Sequence, residues 1–147
     1  MKKAAWWVLA KPLMAHLASA STDGPRESPL WFLWEDGLIW LIGRSTDSFV
    51  IRLRADPSCA IGVVDFDVQR GALRHVGIRG LAEVQEMSRP RLERLLRRYL
   101  GSHVASWNDW FVTHIVEPLD VMICVTPRST VANDYSYFKT GPALIPT

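Results

Sequence analysis

The stretch that decides the fold runs from residue 26 to residue 57 and reads RESPLWFLWEDGLIWLIGRSTDSFVIRLRADP. Residues 28–34 and 38–43 are rich in Trp, Phe, Leu and Ile, which is typical of β-strands. Between them stands Asp36-Gly37, a dipeptide that two-residue hairpin turns prefer because glycine tolerates positive φ. The stretch therefore predicts a β-hairpin, and the apolar run CAIGVV after it predicts a further strand.

A polar loop follows the second strand of this hairpin. Arg44, Ser45 and Ser48 place a cation and two hydroxyls where the chain enters a short helix, predicted over residues 46–55. The unpaired N–H groups at the start of a helix favour an anion. The loop is therefore predicted to form one compact phosphate site.

Two later segments have clear patterns. LRHVGIRGLAEVQE alternates over more than ten residues and predicts a long, bent strand, with Gly77 and Gly80 as bulge or close-approach points. Ser88, Pro90 and Gly101 bracket a helix whose one face is leucine-rich and whose other face is arginine-rich. We interpret the arginine face as solvated rather than as a nucleic-acid surface, because Glu93 supplies i±4 partners.

Composition narrows the class of protein. The chain has 147 residues and a net charge of +2, which is too small to imply nucleic acid or an anionic membrane as partner. No run approaches the ~20 apolar residues of a membrane helix. The seven Trp suggest an interface or a planar ligand, with packing of a barrel interior as the open alternative.

The two cysteines, Cys59 and Cys124, lie in apolar runs and have no Cys or His at metal-ligand spacing. A reduced, cytoplasmic protein without a metal site is expected. Motifs of the HExxH, CxxC, GxSxG and Walker types are absent from the sequence. The sequence therefore offers no obvious general acid or base.

The order of these elements resembles the pyridoxamine 5'-phosphate oxidase-like family of flavin-binding split barrels. The resemblance covers residues 13–126 and rests on the hairpin, the Ser/Thr loop, the short helix ending in LRADP and the apolar strand after it. It implies a mainly β fold, a six-stranded antiparallel split barrel in a single domain over residues 1–147. It also implies a homodimer with FMN in a groove between the two subunits.

The resemblance implies a set of cofactor-binding residues as well. They are Arg26, Leu30, Trp31, Phe32, Ile42, Gly43, Arg44, Ser45, Ser48, Phe49, His75, Trp107 and Trp110. The arginine before the hairpin and the loop after it match the phosphate ligands, and the Leu-Trp-Phe strand matches the one along the isoalloxazine ring. The histidine stands where members often carry a Gln. One of the two late tryptophans is expected to reach the partner subunit's groove, with core packing as the alternative.

Two positions depart from the family pattern. Gly43 stands where members commonly have Thr, and Phe49 stands where they have the phosphate-binding Lys. Arg44 or Arg52 is the expected substitute for the missing cation.

These features predict an FMN-binding protein, and a flavin-dependent oxidoreductase of unknown substrate is the favoured function. A flavin performs the redox chemistry itself, so missing catalytic side chains do not exclude an enzyme. The alternative is a non-catalytic protein, stress-related or binding flavin, deazaflavin or haem. True pyridoxamine-phosphate oxidase activity is not expected, because the terminal ALIPT does not resemble that enzyme's basic substrate motif.

Overall fold

The structure is a computed structural model that describes residues 3–137, so the irregular tail predicted for residues 139–147 lies outside the described residues. Seven strands, β1 to β7, span Ala15–Ser19, Arg26–Leu30, Phe32–Glu35, Leu38–Gly43, Ser58–Asp67, Ala72–Glu86 and Val121–Asp134. Four helices, α1 to α4, span Lys3–Leu9, Ser48–Ala55, Arg89–Leu100 and Asp109–Phe111. A 3₁₀ turn at Val104–Ser106 precedes α4, and a π-helical turn at Val112–Val116 follows it.

All seven strands join one antiparallel sheet in the order β2-β1-β5-β6-β7-β4-β3. The two outermost strands, β2 and β3, are consecutive in the chain and are separated only by Trp31. The sheet must therefore curl until its two edges nearly meet, which forms a split barrel.

The predicted count of six strands needs correction to seven. The predicted strand over residues 28–34 is broken at Trp31, because the residues before it pair with β1 and those after it pair with β4. A single segment cannot follow both neighbours around a curled sheet without a bend. The mainly β class, the hairpin, the long strand and the helix after Ser88 are confirmed.

Two hydrophobic cores lie on opposite sides of the same strands. Inward residues such as Phe32 and Leu41 fill the barrel, where helices α1 and α2 also bury side chains. The alternate residues Leu33 and Trp40 face outward and pack against the leucines of α3. This alternation follows from the two-residue period of a strand.

The outer side of β1, β5 and β6 forms a different surface. Cross-strand partners place two rows of small and polar side chains there: Ala18, Ala60, Arg79 and Ser129 in one row, and His16, Gly62, Gly77 and Val131 in the other. No described helix residue lines the grooves over these rows. We call this surface the open face. Because α3 covers only the other half of the sheet, the open face is where a ligand or a partner has access.

The β3–β4 hairpin is fixed to helix α3 by charge. Asp36 and Gly37 both have positive φ, 59° and 72°, as the predicted two-residue turn requires. The Glu35 carboxylate, just before the turn, accepts two hydrogen bonds of 2.7 Å from Arg94 and one of 3.0 Å from Arg91. Part of the arginine face of α3 is thus engaged by acids rather than only by solvent.

Glu35 gives the protein a pH-dependent stability. The hydrogen bonds from Arg94, followed by those from Arg91, lower the pKa of Glu35 from 4.5 to about 2. A carboxylate whose pKa is lower in the folded state stabilises the fold above pH 4.5, and this contribution is lost as pH falls toward 2. Glu35→Gln should lower the free energy of unfolding at pH 7 by about 1–2 kcal/mol, after allowance for solvent screening.

Urea unfolding at pH 7 and at pH 2.5 checks this expectation, the lower value lying near the shifted pKa. The difference between wild type and Glu35→Gln should shrink markedly at the lower pH. Glu93→Gln, which removes only an exposed i,i+4 pair with Arg97, is the matched control. An equal difference at both pH values would contradict the assigned role of Glu35.

None of the helices within residues 3–137 is long and apolar enough to cross a membrane.

Candidate functional site

A groove of about 440 Å³ crosses the open face beside His75. Gly62 and Gly77, opposite each other on β5 and β6, form its floor. A Cβ atom at Gly77 would lie only 3.0 Å from the Val131 side chain and 3.1 Å from the His75 ring. The groove is therefore shallow here because neither glycine adds a side chain, and the His75 imidazole lies close to both glycines.

A second groove of about 650 Å³ continues from the first one. The two grooves share the side chains of Ala18, Ala60 and Arg79. The larger groove also contains Arg128, and no acidic residue lines it among residues 3–137. Together the grooves offer a flat apolar floor and two cations, a combination that fits a planar ligand with an anionic group.

The predicted ring-contacting residues Leu30 and Trp31 lie in a separate pocket of about 260 Å³ with Ile42. Trp31 stacks on Tyr99, with ring centroids 4.4 Å apart and planes 2° apart. Pro29 lines this pocket, and its cross-strand partner His16 lines the groove beside His75. The pocket and the groove therefore approach each other at the β1–β2 strand pair.

The Tyr99 hydroxyl links strand β3 to the segment that precedes β1. Its hydroxyl donates to the carbonyl of Leu13 at 2.7 Å and accepts from the N–H of Phe32 at 3.0 Å. Burial raises the pKa of Tyr99, so the phenol stays protonated at neutral pH. Phe32 itself is fully buried in the barrel core and does not line the pocket.

The predicted phosphate loop is engaged by carboxylates of the same chain. Asp47 accepts hydrogen bonds from the backbone N–H of Arg44 at 2.8 Å and from its guanidinium at 3.1 Å. Asp120 accepts from the N–H of Ser45 at 2.7 Å and from its hydroxyl at 2.8 Å. The hydrogen bonds from Ser45 lower the pKa of Asp120, so this carboxylate is charged at neutral pH. A phosphate bound to this loop would have to displace two carboxylates.

Phe49 lies in the barrel core, where it is 7% exposed. A Cβ atom at Gly43 would lie 2.8 Å from the tip of the Phe49 ring. The two departures from the family pattern are thus one packing arrangement, in which the ring of Phe49 occupies the space that Gly43 leaves. The neighbouring Ser48 is exposed at the helix start.

The remaining predicted residues are spread over the surface and the outer core. Arg26 is exposed and pairs with Asp23 at 2.9 Å. Arg52 donates to the hydroxyl of Ser19 at 2.9 Å instead of reaching the loop. Trp107 is buried in the outer core, whereas Trp110 is 62% exposed. Only the latter tryptophan is placed to reach another molecule.

The site residues predicted from the sequence did not include Arg79, Arg128 or Asp120. A signal for the first two was present, because a proline in a strand marks an edge or a bulge and Pro127 precedes one of them. Asp120 is 75 residues from Ser45 in the chain, so no local sequence pattern could predict their contact. Within residues 3–137, no group of three or more His, Cys, Asp or Glu residues is placed to hold a metal ion.

Comparison with known proteins agrees with this architecture. No protein-family profile and no curated protein matches the sequence. A structure described as an F420 reductase is 25% identical, with a TM-score of 0.65 over 86% of this chain and 94% of that one. A conserved hypothetical protein from Mycobacterium tuberculosis is 23% identical, with a TM-score of 0.72 over 99% and 95% of the two chains.

A protein from Listeria innocua whose assigned name is pyridoxamine 5'-phosphate oxidase is 16% identical, with a TM-score of 0.63 over 87% and 94% of the two chains. The chain therefore has the split-barrel fold of pyridoxamine 5'-phosphate oxidase-like proteins. The resemblance predicted from the sequence is confirmed at the level of the fold.

Proposed function

We propose that this protein binds a flavin, FMN, on the open face and acts as a flavin-dependent oxidoreductase. The observation that carries the proposal is the groove floored by Gly62 and Gly77 beside His75. A tricyclic ring needs a flat surface, and a side chain at either glycine would occupy that surface. The names of two similar structures, an F420 reductase and a pyridoxamine 5'-phosphate oxidase, support a redox cofactor of this shape.

The protein's own contribution to such chemistry is position and hydrogen bonding. A bound flavin supplies the electron or hydride transfer. His75 borders the groove and can hydrogen-bond a ligand there, as the resemblance implies for this position. Arg26 and Arg44 stay predicted phosphate ligands, and each must exchange its exposed ion pair with an aspartate to serve.

We also propose that two copies of the chain close over this groove as a homodimer. Val64, Phe66 and Val131 are large apolar residues that remain 43–56% exposed on β5 and β7. Exposed apolar side chains grouped beside a groove are typical of an interface.

Both cysteines are free thiols, in keeping with the proposed cytoplasmic location.

Gly62→Leu should lower the affinity for FMN by about tenfold or more, because its side chain would fill the floor of the groove. The substitution suits a test because a Cβ at Gly62 meets only the His75 ring, at an ordinary 3.7 Å. Titration followed by the flavin absorbance and fluorescence measures the affinity. Val104→Leu, at an exposed valine in the 3₁₀ turn, outside both the groove and the proposed interface, is the control and should bind FMN as the wild type does.

Equal FMN affinity in wild type and Gly62→Leu would place the cofactor elsewhere.

A deazaflavin is the second candidate, supported by the similarity to an F420 reductase and by the missing Thr and Lys at Gly43 and Phe49. Titration with F420 distinguishes the two cofactors by their absorbance. A protein that binds F420 and not FMN would overturn the FMN proposal.

A further inference from the structure

We propose that Arg79 and Arg128 form a binding site for the oxyanion group of a small molecule, a phosphate or a carboxylate. The site lies in the larger groove of the open face, next to the floor of small residues. It does not depend on the presence of a flavin.

The first observation is the charge of this groove. Among residues 3–137, Arg79 and Arg128 are the only charged residues that line it, and both are exposed. Neither makes an ion pair or a side-chain hydrogen bond with any residue in the part of the chain that the structure describes, whereas Arg44, Arg91 and Arg94 are all held by carboxylates. Two guanidinium groups that share one groove without a carboxylate favour an anion from outside.

The second observation is a β-bulge that brings the two arginines together. Arg79 on β6 pairs with Ser129 on β7, but the next β6 residue, Gly80, pairs with Pro127. Arg128 is therefore the extra residue of the bulge and lies beside Arg79. Bulges of this kind re-aim a side chain and are frequent next to functional sites.

Gly80 permits a close approach of β6 and β7 at the bulge. A Cβ atom at this position would collide with the carbonyl oxygen of Thr126, which approaches from β7. The same bulge therefore accounts for two features: the close approach of the two backbones at this glycine, and the position of Arg128 beside Arg79. The bulge thus places two arginines in one groove, and neither has a carboxylate partner among the described residues.

The remaining lining defines the kind of ligand. Leu81, Pro25 and Ala20 supply apolar walls. Cys59 also borders the groove, and burial raises the pKa of its thiol to about 11, so it adds no negative charge at neutral pH. The groove therefore suits a small molecule with an apolar body and one oxyanion group.

Two sources of that oxyanion fit, because the groove is continuous with the proposed flavin groove through Ala18 and Ala60. One is the phosphate of the flavin itself. The other is an anionic substrate that lies beside the flavin. The shared chemistry is an oxyanion bound by two arginines, and competition between ligands separates the sources.

The test is a calorimetric titration with inorganic pyrophosphate at low ionic strength. Arg79→Gln and Arg128→Gln should each weaken binding by about tenfold or more, the effect of losing a hydrogen bond between charged groups. Arg89→Gln removes the same charge from an exposed position at the start of α3 and is the control. Its effect should be small and should vanish as salt screens long-range charge.

A wild type that shows no saturable binding of pyrophosphate would overturn the proposal. The same holds if Arg89→Gln weakens binding as much as the two groove variants do, since a general charge effect would then suffice. Thermal unfolding of each variant verifies that the fold is intact.

Repeating the titration with protein saturated with FMN identifies the source. If FMN blocks pyrophosphate while riboflavin does not, the flavin phosphate occupies the site. If pyrophosphate binds equally well to the FMN-loaded protein, the site takes the oxyanion of a second ligand. Because the first titration needs no flavin, failure of the FMN proposal and failure of the oxyanion site give different results.

Discussion

Replacing Phe49 with lysine is expected to destabilise the protein by about 4 kcal/mol or more. The ring is 7% exposed in the barrel core and packs over Gly43. Removing a buried phenyl ring costs about 3–5 kcal/mol. A lysine adds the cost of desolvating an ammonium group at a buried position.

Urea unfolding followed by circular dichroism measures the loss. Ile51→Lys is the matched control, because Ile51 lies on the same helix and is 56% exposed. That control should change the free energy of unfolding by less than about 0.5 kcal/mol. If Phe49→Lys were as stable as Ile51→Lys and bound FMN more tightly, the helix start would face the phosphate as the family resemblance implies.

Replacing Gly80 with alanine should destabilise the protein by about 2–4 kcal/mol. The added methyl group collides with the backbone carbonyl of Thr126, and backbone in the centre of a sheet cannot move aside as a side chain can. The β6–β7 ladder, which is the longest in the sheet, would have to shift at its bulge.

Gly62→Ala provides the control for the Gly80 substitution. Both glycines lie within strands, so the intrinsic effect of replacing glycine by alanine is similar in the two variants. The Cβ at Gly62 makes only an ordinary contact at 3.7 Å. Equal unfolding free energies for the two alanine variants would show that the close approach at Gly80 is not tight in solution.

The sequence by itself determined the local elements and their class. Alternating apolar residues, the Asp36-Gly37 turn and the Ser88 cap predicted the hairpin, the long strand and helix α3, and the structure confirms them. These signals are local, since they depend on strand period, on φ preference and on capping. The flagged glycine at 80 also proved to be a site of close approach.

The break of the first hairpin strand at Trp31 was not predictable in this way. It depends on the curl of the whole sheet, which makes the two halves of the segment pair with different neighbours. The sequence pattern over residues 28–34 is continuous, so it predicted one strand where the structure has two.

The arrangement of the site was decided only by the tertiary structure. Sequence patterns predicted a phosphate site at Arg44 and Ser45. In the structure, the N–H and the hydroxyl of Ser45 donate to the carboxylate of Asp120, which is 75 residues away in the chain. Likewise, Arg79 and Arg128 are 49 positions apart, and only the register of β6 on β7 brings them into one groove. Propensity and periodicity act over a few residues, whereas which charges neutralise one another and which stay free depends on contacts between distant segments.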